Sequence, residues 1–434
     1  MMMKRIFLYS VLLCLTAFML FLSFNIHSKS GYFNYHSEIW ADKAGYYVYL
    51  PAALKYGFNP DQFPDSIDVK TGKGFQLDYM NGKVRTKYNY GVALMQLPFY
   101  LIADFLANPL GQERNAFSPV YHWSLNVAAV FYLMAGMLLL GLFLKKHFRK
   151  LVVWLVLFSI LAGTNLFYYS MDETGMSHVY SFFLFSLFLY LLQQTGFLQR
   201  KFTFQHVMLS FVAGLILVIR PSNFLFLLFA FFLFAGNKEA GQVRIRYFFR
   251  PAFLFASLLI VLLVFLPQFL YWNYLHDSFI VYTYKGEGFS WLQPAITTVL
   301  FAPRNGLFLY NPFFLVILAS FVIMIKKNQW NGSLISLLFI VLLYVVSSWW
   351  DPTFGCSFGA RNFVEYTAVF SFPLAHLYQR ILQQKILPRL LIWLLILLLI
   401  LVNLKLTYTY DDCFFGNGTW DWQEYLRLLL APTA

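Results

Sequence analysis

The chain has 434 residues, of which 60% are apolar and only 12% charged, with 51 Phe and 29 Tyr, a balance that no single water-soluble core can hide. The formal charge of +13 sits in short basic clusters between apolar stretches, so charge sorting across a membrane accounts for most of it and no nucleic-acid partner is expected. Apolar runs of about 20 residues, each long enough for roughly 30 Å of hydrocarbon, recur along the chain, and without an alternating barrel pattern they must be helices.

A basic start over residues 1–5 precedes an apolar run at 6–26 that has no small-x-small cleavage pattern, so it is read as a first anchor helix and not as a removed signal peptide. The polar and aromatic stretch 27–91 forms the first outer loop, where most of the soluble chemistry is expected. Within it Asp42, Tyr46, Tyr49 and Ala53 fall at helical spacing, which predicts a short helix whose aromatic stripe faces the membrane surface. Two readings of Asp42 stand: a carboxylate placed to take a proton from a hydroxyl, or the cap of that helix. The segment Arg85-Thr86-Lys87-Tyr88-Asn89-Tyr90-Gly91 then puts two cations among aromatic and amide groups at head-group depth, suited either to a lipid phosphate or to a general cationic belt. Residues 92–106 contain Pro98 and Asp104 and are only moderately apolar, so they are expected to lie at the interface without crossing.

Further spans are expected at 120–144, 151–169, 176–192, 204–219, 222–235, 252–272, 307–325, 334–348, 362–378 and 387–406, about eleven with the first. The fold class expected is therefore an all-α polytopic membrane protein, one transmembrane domain over 1–434 with interfacial helices in the first outer loop. With 92–106 not crossing, Lys4-Arg5, Lys145-Lys146, Arg149-Lys150, Arg200-Lys201, Arg244 to Arg250, Lys326-Lys327 and Arg380 to Arg389 all fall on one side. That side is the cytoplasm, which leaves the amino terminus inside and the tail 407–434 outside, in a composition that suggests a bacterial inner membrane.

Polar residues gather at the outer helix ends. The Asp172-Glu173 turn before His178 suits acceptor or metal binding, or is a solvated turn in which Asp172 caps the next helix. Arg220, beside Pro221, sits where desolvation asks for an anion unless the side chain snorkels. Between Ser348 and Asn362, Trp349 and Trp350 suit stacking on a sugar face, or an interfacial belt, with Gly355, Gly359 and the cation Arg361 beside them. Of the three cysteines Cys14 falls in a membrane helix, and a bond between Cys356 and Cys413 is left open; no zinc spacing occurs and no metal ligands are assigned. The absence of a P-loop, a dinucleotide fingerprint, HExxH and Gly-x-Ser-x-Gly argues against a nucleotide-driven pump.

In arrangement the chain resembles the C-type integral-membrane glycosyltransferases (GT-C) that use polyprenyl-phosphate sugars, a group including protein mannosyltransferases and aminoarabinose transferases of lipid A. The resemblance rests on Ala41-Asp42-Lys43-Ala44-Gly45-Tyr46-Tyr47 soon after the first span, Lys87-Tyr88-Asn89-Tyr90-Gly91, Ser177 to Phe183, Arg220-Pro221-Ser222-Asn223 and Phe358-Gly359-Ala360-Arg361. It implies a glycosyltransferase acting on the periplasmic side, with a polyprenyl-phosphate sugar as donor and a glycan, lipid or protein as acceptor. Asp42 would be the general base, with Glu38 as the substitute because Asp42 is followed by Lys43 where many members carry an Asp-Glu pair. The donor phosphate would meet Arg85, Lys87, Arg220 and Arg361, and the acceptor or sugar Tyr46, Tyr88, Asp172, Glu173, His178 and Trp350. No cofactor is assigned and a divalent cation is left open. The competing reading is a transporter or flippase of a lipid-linked glycan; the uncharged midplane of the spans favours surface chemistry.

Overall fold

The computed structural model describes residues 2–28, 33–194, 204–234, 238–410 and 416–432. Cys413 and the basic pair Arg200-Lys201 lie outside the described residues, and so does the bond considered between Cys356 and Cys413.

The helices Pro119–Lys145, Pro251–His276, Gln329–Ser347 and Ile386–Thr409 are each long and apolar enough to cross a bilayer, and the protein is an integral membrane protein. Their ends follow local chemistry. Pro119 and Pro251 open two of them, where a missing amide hydrogen costs nothing, and Asn328 caps a third by accepting from the Asn331 amide at 3.1 Å. Leucines such as Leu387, Leu391 and Leu394 stay exposed on Ile386–Thr409, as a lipid-facing surface requires.

Among the described residues these four are the helices of that length and apolarity, so the expected count of about eleven is not confirmed, and several of the expected runs break. The run 151–169 divides into Lys150–Gly163 and Leu166–Met171 at Thr164, whose backbone is extended and whose hydroxyl accepts from the Leu166 amide at 3.3 Å. The run 307–325 divides into Leu307–Tyr310 and Phe314–Lys327, since Pro312 has no amide hydrogen to continue the ladder. Among the described residues of the run 222–235, Phe224–Ala230 is the α-helical part. The helix Gly91–Leu106 has 16 residues, about 24 Å of rise, which is short of the hydrocarbon thickness. It buries Val92, Ala93, Gln96 and Tyr100 and exposes Leu101, Ile102 and Phe105, a two-faced pattern that suits an interfacial position.

The chain divides into two compact units. The first comprises Met1–Ala135, Tyr168–Tyr180 and Pro267–Thr283. Here the first loop is folded more fully than a polar stretch suggests: short helices Asp42–Tyr47, Tyr49–Leu54 and Ile67–Lys70, and an antiparallel hairpin pairing Gln76–Asp78 with Lys83–Arg85. Asn81-Gly82 ends the connection, with Gly82 at φ 60°, so among the described residues the mostly helical fold carries one small sheet. The aromatic stripe expected on the membrane surface is instead buried: Tyr46 is 6% exposed, and Tyr49 joins a core with Tyr47, Phe63, Phe75, Tyr100, Phe117 and Tyr121.

Irregular backbone in this core is held by phenols. Tyr47 donates to the Ala116 carbonyl at 2.6 Å, Tyr49 to Tyr88 at 2.7 Å, Tyr56 to Asn115 at 2.7 Å, and Tyr274 to Phe58 at 3.1 Å. Each bond satisfies a carbonyl that no helix or strand ladder reaches.

The second unit comprises Gly136–Phe167, Ser181–Leu266 and Tyr284–Ala434. Its core is aromatic: Phe185 stacks on Phe226 at 3.7 Å, and Phe314, Phe321, Phe339, Phe363 and Phe370 interlock edge to face or tilted. Helix Trp422–Leu430 is capped by Asp421, which accepts from the Gln423 and Glu424 amides at 3.0 and 3.1 Å, and Tyr425 donates to the Leu309 carbonyl at 2.9 Å. The Asn417 amide, then that of Glu424, hold the Asp421 carboxyl below the ordinary carboxylate range. A lowered folded pKa means that the cap contributes fully above the ordinary value and is lost as pH falls through the folded one. Acidification through that window is expected to fray 422–430 ahead of the rest of the chain, measured as faster amide exchange there; unchanged protection would show that the cap is dispensable.

Candidate active site

In the first unit Asp42 opens its helix, but Ala41, at φ 47°, holds the capping position, so the capping reading of Asp42 does not apply. Its carboxylate accepts the Tyr88 hydroxyl, and Asp42 keeps partial exposure while Lys43 through Tyr47 are buried. The Tyr46 and Tyr88 rings lie 4.4 Å apart, and Lys87 Nζ stands 5.6 Å from the Tyr88 ring centre.

The segment that carries Tyr88 is pinned at nearly every residue. The Thr86 amide donates to the Tyr271 hydroxyl at 2.9 Å and the Thr86 hydroxyl to the Gly45 carbonyl at 2.8 Å. The Lys87 carbonyl accepts from Thr283 at 2.7 Å, and the Tyr90 amide donates to Gln268 at 2.9 Å. A segment fixed in this way keeps its side chains oriented before any ligand arrives.

Gly45 is what lets Tyr88 approach Asp42. A Cβ there would stand 2.3 Å from Tyr88 Cδ2 and 2.4 Å from the Gly74 carbonyl oxygen, so ring and backbone would both have to move. Gly45→Ala is expected to destabilise the protein by about 1–3 kcal/mol through overpacking and to weaken the Asp42–Tyr88 contact. Thermal unfolding in detergent reads the first effect; a melting point equal to wild type would show that the loop has room to give.

The acidic turn is not solvated. Asp172 is fully buried and Glu173 is 8% exposed, and the following helix starts only at Ser177, too far on for Asp172 to cap it. Glu173 Oε1 meets Lys43 Nζ at 2.8 Å, while the Asp172 oxygens face His27 Nδ1 at 3.2 Å and His36 Nδ1 at 3.6 Å. Thr174 donates to Asn126 at 2.9 Å, Asn126 to Glu38 at 2.6 Å, and Glu38 meets His122 Nδ1 at 3.1 Å. Gly175 permits this interlocking, since a Cβ there would lie 2.4 Å from the Glu38 carbonyl oxygen. Glu38, 1% exposed, is thus a buried member of a polar network. His178 is also buried, its ring 4.6 Å from that of Tyr169, and Tyr46 donates to Ser177 at 3.5 Å.

Arg85 is engaged within the hairpin, its guanidinium 2.6 Å from Asp78, whose carboxyl is held below the ordinary range first by the Asn81 side chain and also by Arg85. In the second unit Arg220 pairs with Glu365 at 3.1 Å and with the Asn362 side-chain oxygen. Glu365 is 1% exposed, so the Arg220 guanidinium answers a buried carboxylate of the protein itself and does not simply snorkel. Arg361 lies over the Phe354 ring at 5.8 Å; Trp350 is 55% exposed and follows Trp349, whose ring meets that of Phe289 at 4.8 Å.

Sequence reasoning missed His27, His36, His122 and Glu365, and it gave Lys43 no partner. Only Lys43 carried a signal, as a cation in a loop otherwise supplying acidic and aromatic groups; the others are assembled by contacts distant in sequence.

No family model matches the chain, and no curated protein does. Its fold is similar to that of the Archaeoglobus fulgidus oligosaccharyltransferase, to the apo form with a TM-score of 0.50 at 14% identity. A second structure of that enzyme, tethered through a disulfide bond to an acceptor peptide containing the NVT sequon, gives a TM-score of 0.51 at 13% identity. The matches cover 98% of this chain but 60% and 59% of the archaeal chains, so this protein spans about three fifths of their length. At such identity the likeness is one of fold.

Proposed function

We propose that this protein is a membrane glycosyltransferase of the GT-C type, moving a sugar from a polyprenyl-phosphate donor to an acceptor hydroxyl on the periplasmic face of a bacterial inner membrane. The observation that carries the reading is the first-unit cluster in which the partly exposed Asp42 meets Tyr88, with Lys87 beside it on a rigid segment. The fold likeness to an oligosaccharyltransferase supports it.

In the reaction the acceptor hydroxyl attacks the anomeric carbon from the face opposite the phosphate, its proton passes to Asp42, and the carbon–oxygen bond to polyprenyl phosphate breaks, inverting the centre. Asp42 is preferred to Glu38 as base because it is reachable, whereas Glu38 is enclosed by His122 and Asn126. The Tyr88 hydroxyl orients the carboxylate, and the Tyr46 and Tyr88 rings offer a face for a sugar. Lys87 is placed to meet the charge that grows on the departing phosphate. The acceptor is a hydroxyl of a glycan, lipid or protein.

Reconstitution into vesicles with a synthetic polyprenyl-phosphate sugar tests this. Release of polyprenyl phosphate together with an inverted glycoside is the expected result. Passage of the intact labelled lipid between leaflets, with no bond cleaved, would instead establish the flippase reading.

A further inference from the structure

Three side chains from separate segments of the first unit converge on one point that the transfer chemistry does not use. His27 follows helix Met2–Asn25, the first of the chain, His36 stands in the loop after it, and Asp172 sits in the turn before helix Ser177–Gln194. His27 Nδ1 lies 3.2 Å from Asp172 Oδ1, and His36 Nδ1 lies 3.6 Å from Asp172 Oδ2. One ligand atom from each residue can be chosen so that all lie within 4.8 Å of one another. The carboxylate is fully buried, and the two imidazole rings, 5.0 Å between centres, are largely shielded as well.

We infer that this cluster binds one divalent transition-metal ion and that the ion acts as a clamp between the end of the first helix, the first loop and the acidic turn. Donors about 2.0–2.2 Å from a tetrahedral ion stand roughly 3.3–3.6 Å apart; the two histidine–carboxylate distances, 3.2 and 3.6 Å, match this, and the widest span of 4.8 Å closes with a small side-chain shift when the ion enters. Charge points the same way. A buried carboxylate needs positive charge, yet two imidazolium rings in contact would repel each other, whereas one divalent ion satisfies both neutral rings and the carboxylate together. Two imidazole nitrogens with one carboxylate suit zinc, manganese, cobalt or ferrous iron, while magnesium and calcium ask for an all-oxygen shell.

Backbone conformation adds an independent observation. His27 holds a left-handed conformation, φ 50° and ψ 33°, which costs an L-residue about 1–2 kcal/mol. That turn leaves the helix axis and directs the ring at Asp172. The neighbouring Glu173 of the same turn pairs with Lys43, whereas Asp172 faces the two histidines.

The full-length protein in detergent, stripped with a chelator and dialysed, then exposed to zinc, manganese or cobalt, is expected to retain about one ion per chain by elemental analysis and to melt at a higher temperature. Cobalt would report its ligands directly through visible absorption bands of a nitrogen and oxygen site. His36→Gln and Asp172→Asn should each lower retention at least tenfold. If a variant fails to fold, the cobalt spectrum and metal-dependent melting of the wild-type protein still decide. Wild-type protein that retains no ion and melts at one temperature with or without metal would overturn the inference and leave a histidine–aspartate ion pair. None of these readouts depends on sugar transfer.

Discussion

Asp42→Asn is expected to lower the rate of sugar transfer by roughly 10²- to 10⁴-fold while leaving the protein folded, the range that a positioned general base contributes. The amide is close to the carboxylate in size and can still accept from the Tyr88 hydroxyl, so the loop around it has little reason to rearrange. What it cannot do is take the acceptor proton. Donor binding should survive, since Lys87, the cation beside the Tyr88 ring, is untouched. The measurement is initial release of polyprenyl phosphate in vesicles, with melting temperature as the control for folding. Activity within a few-fold of wild type would remove Asp42 from the mechanism and return attention to the buried Glu38.

Lys43→Met is expected to cost about 3–5 kcal/mol of stability, because it leaves the Glu173 carboxylate without its buried ammonium partner. The two charges sit 2.8 Å apart with side-chain exposures of 3% and 11%, so water cannot substitute for the lost partner. Lys43→Met combined with Glu173→Gln should recover much of the loss, and the double-mutant cycle between the two positions then measures the coupling. Additive losses would show that Lys43 acts through packing of its methylene stem and not through charge. Lys43 directly follows Asp42, so the pair also fixes the helix that carries the proposed base to the acidic turn.

Much of the membrane architecture was legible in the sequence. The runs at 120–144, 252–272 and 387–406 match Pro119–Lys145, Pro251–His276 and Ile386–Thr409 to within a few residues, because long apolar runs have one stable form in lipid. Breaks inside apolar runs were harder to read. Pro312 marks its break through the missing amide hydrogen, whereas the extended backbone at Thr164, whose hydroxyl bonds both the Ile160 carbonyl and the Leu166 amide, has no such marker in its residue type. The hairpin in the first loop has Asn81-Gly82 as its signal, within a stretch whose polar composition points to loop.

The candidate site was legible as a set of residue types and not as a set of partners. Asp42 and Tyr88 were both singled out, but nothing in their spacing shows that one accepts a bond from the other. Arg220 was expected to meet an anion, and the anion that faces it is Glu365 of the same chain, 145 positions away. Burial of Asp172 likewise depends on His27 and His36, which periodicity cannot connect to it.

The tyrosines of the first loop carry a further implication. Where a sheet passes rigidity from strand to strand through the main chain, this loop takes it from ring hydroxyls seated on carbonyls, at Tyr47, Tyr49, Tyr56 and Tyr274. Its shape is therefore written in side-chain identity more than in backbone pattern. A graft of the loop onto another scaffold would keep its form only if the phenols and their acceptors travelled together, including Tyr274 from a helix far along the chain.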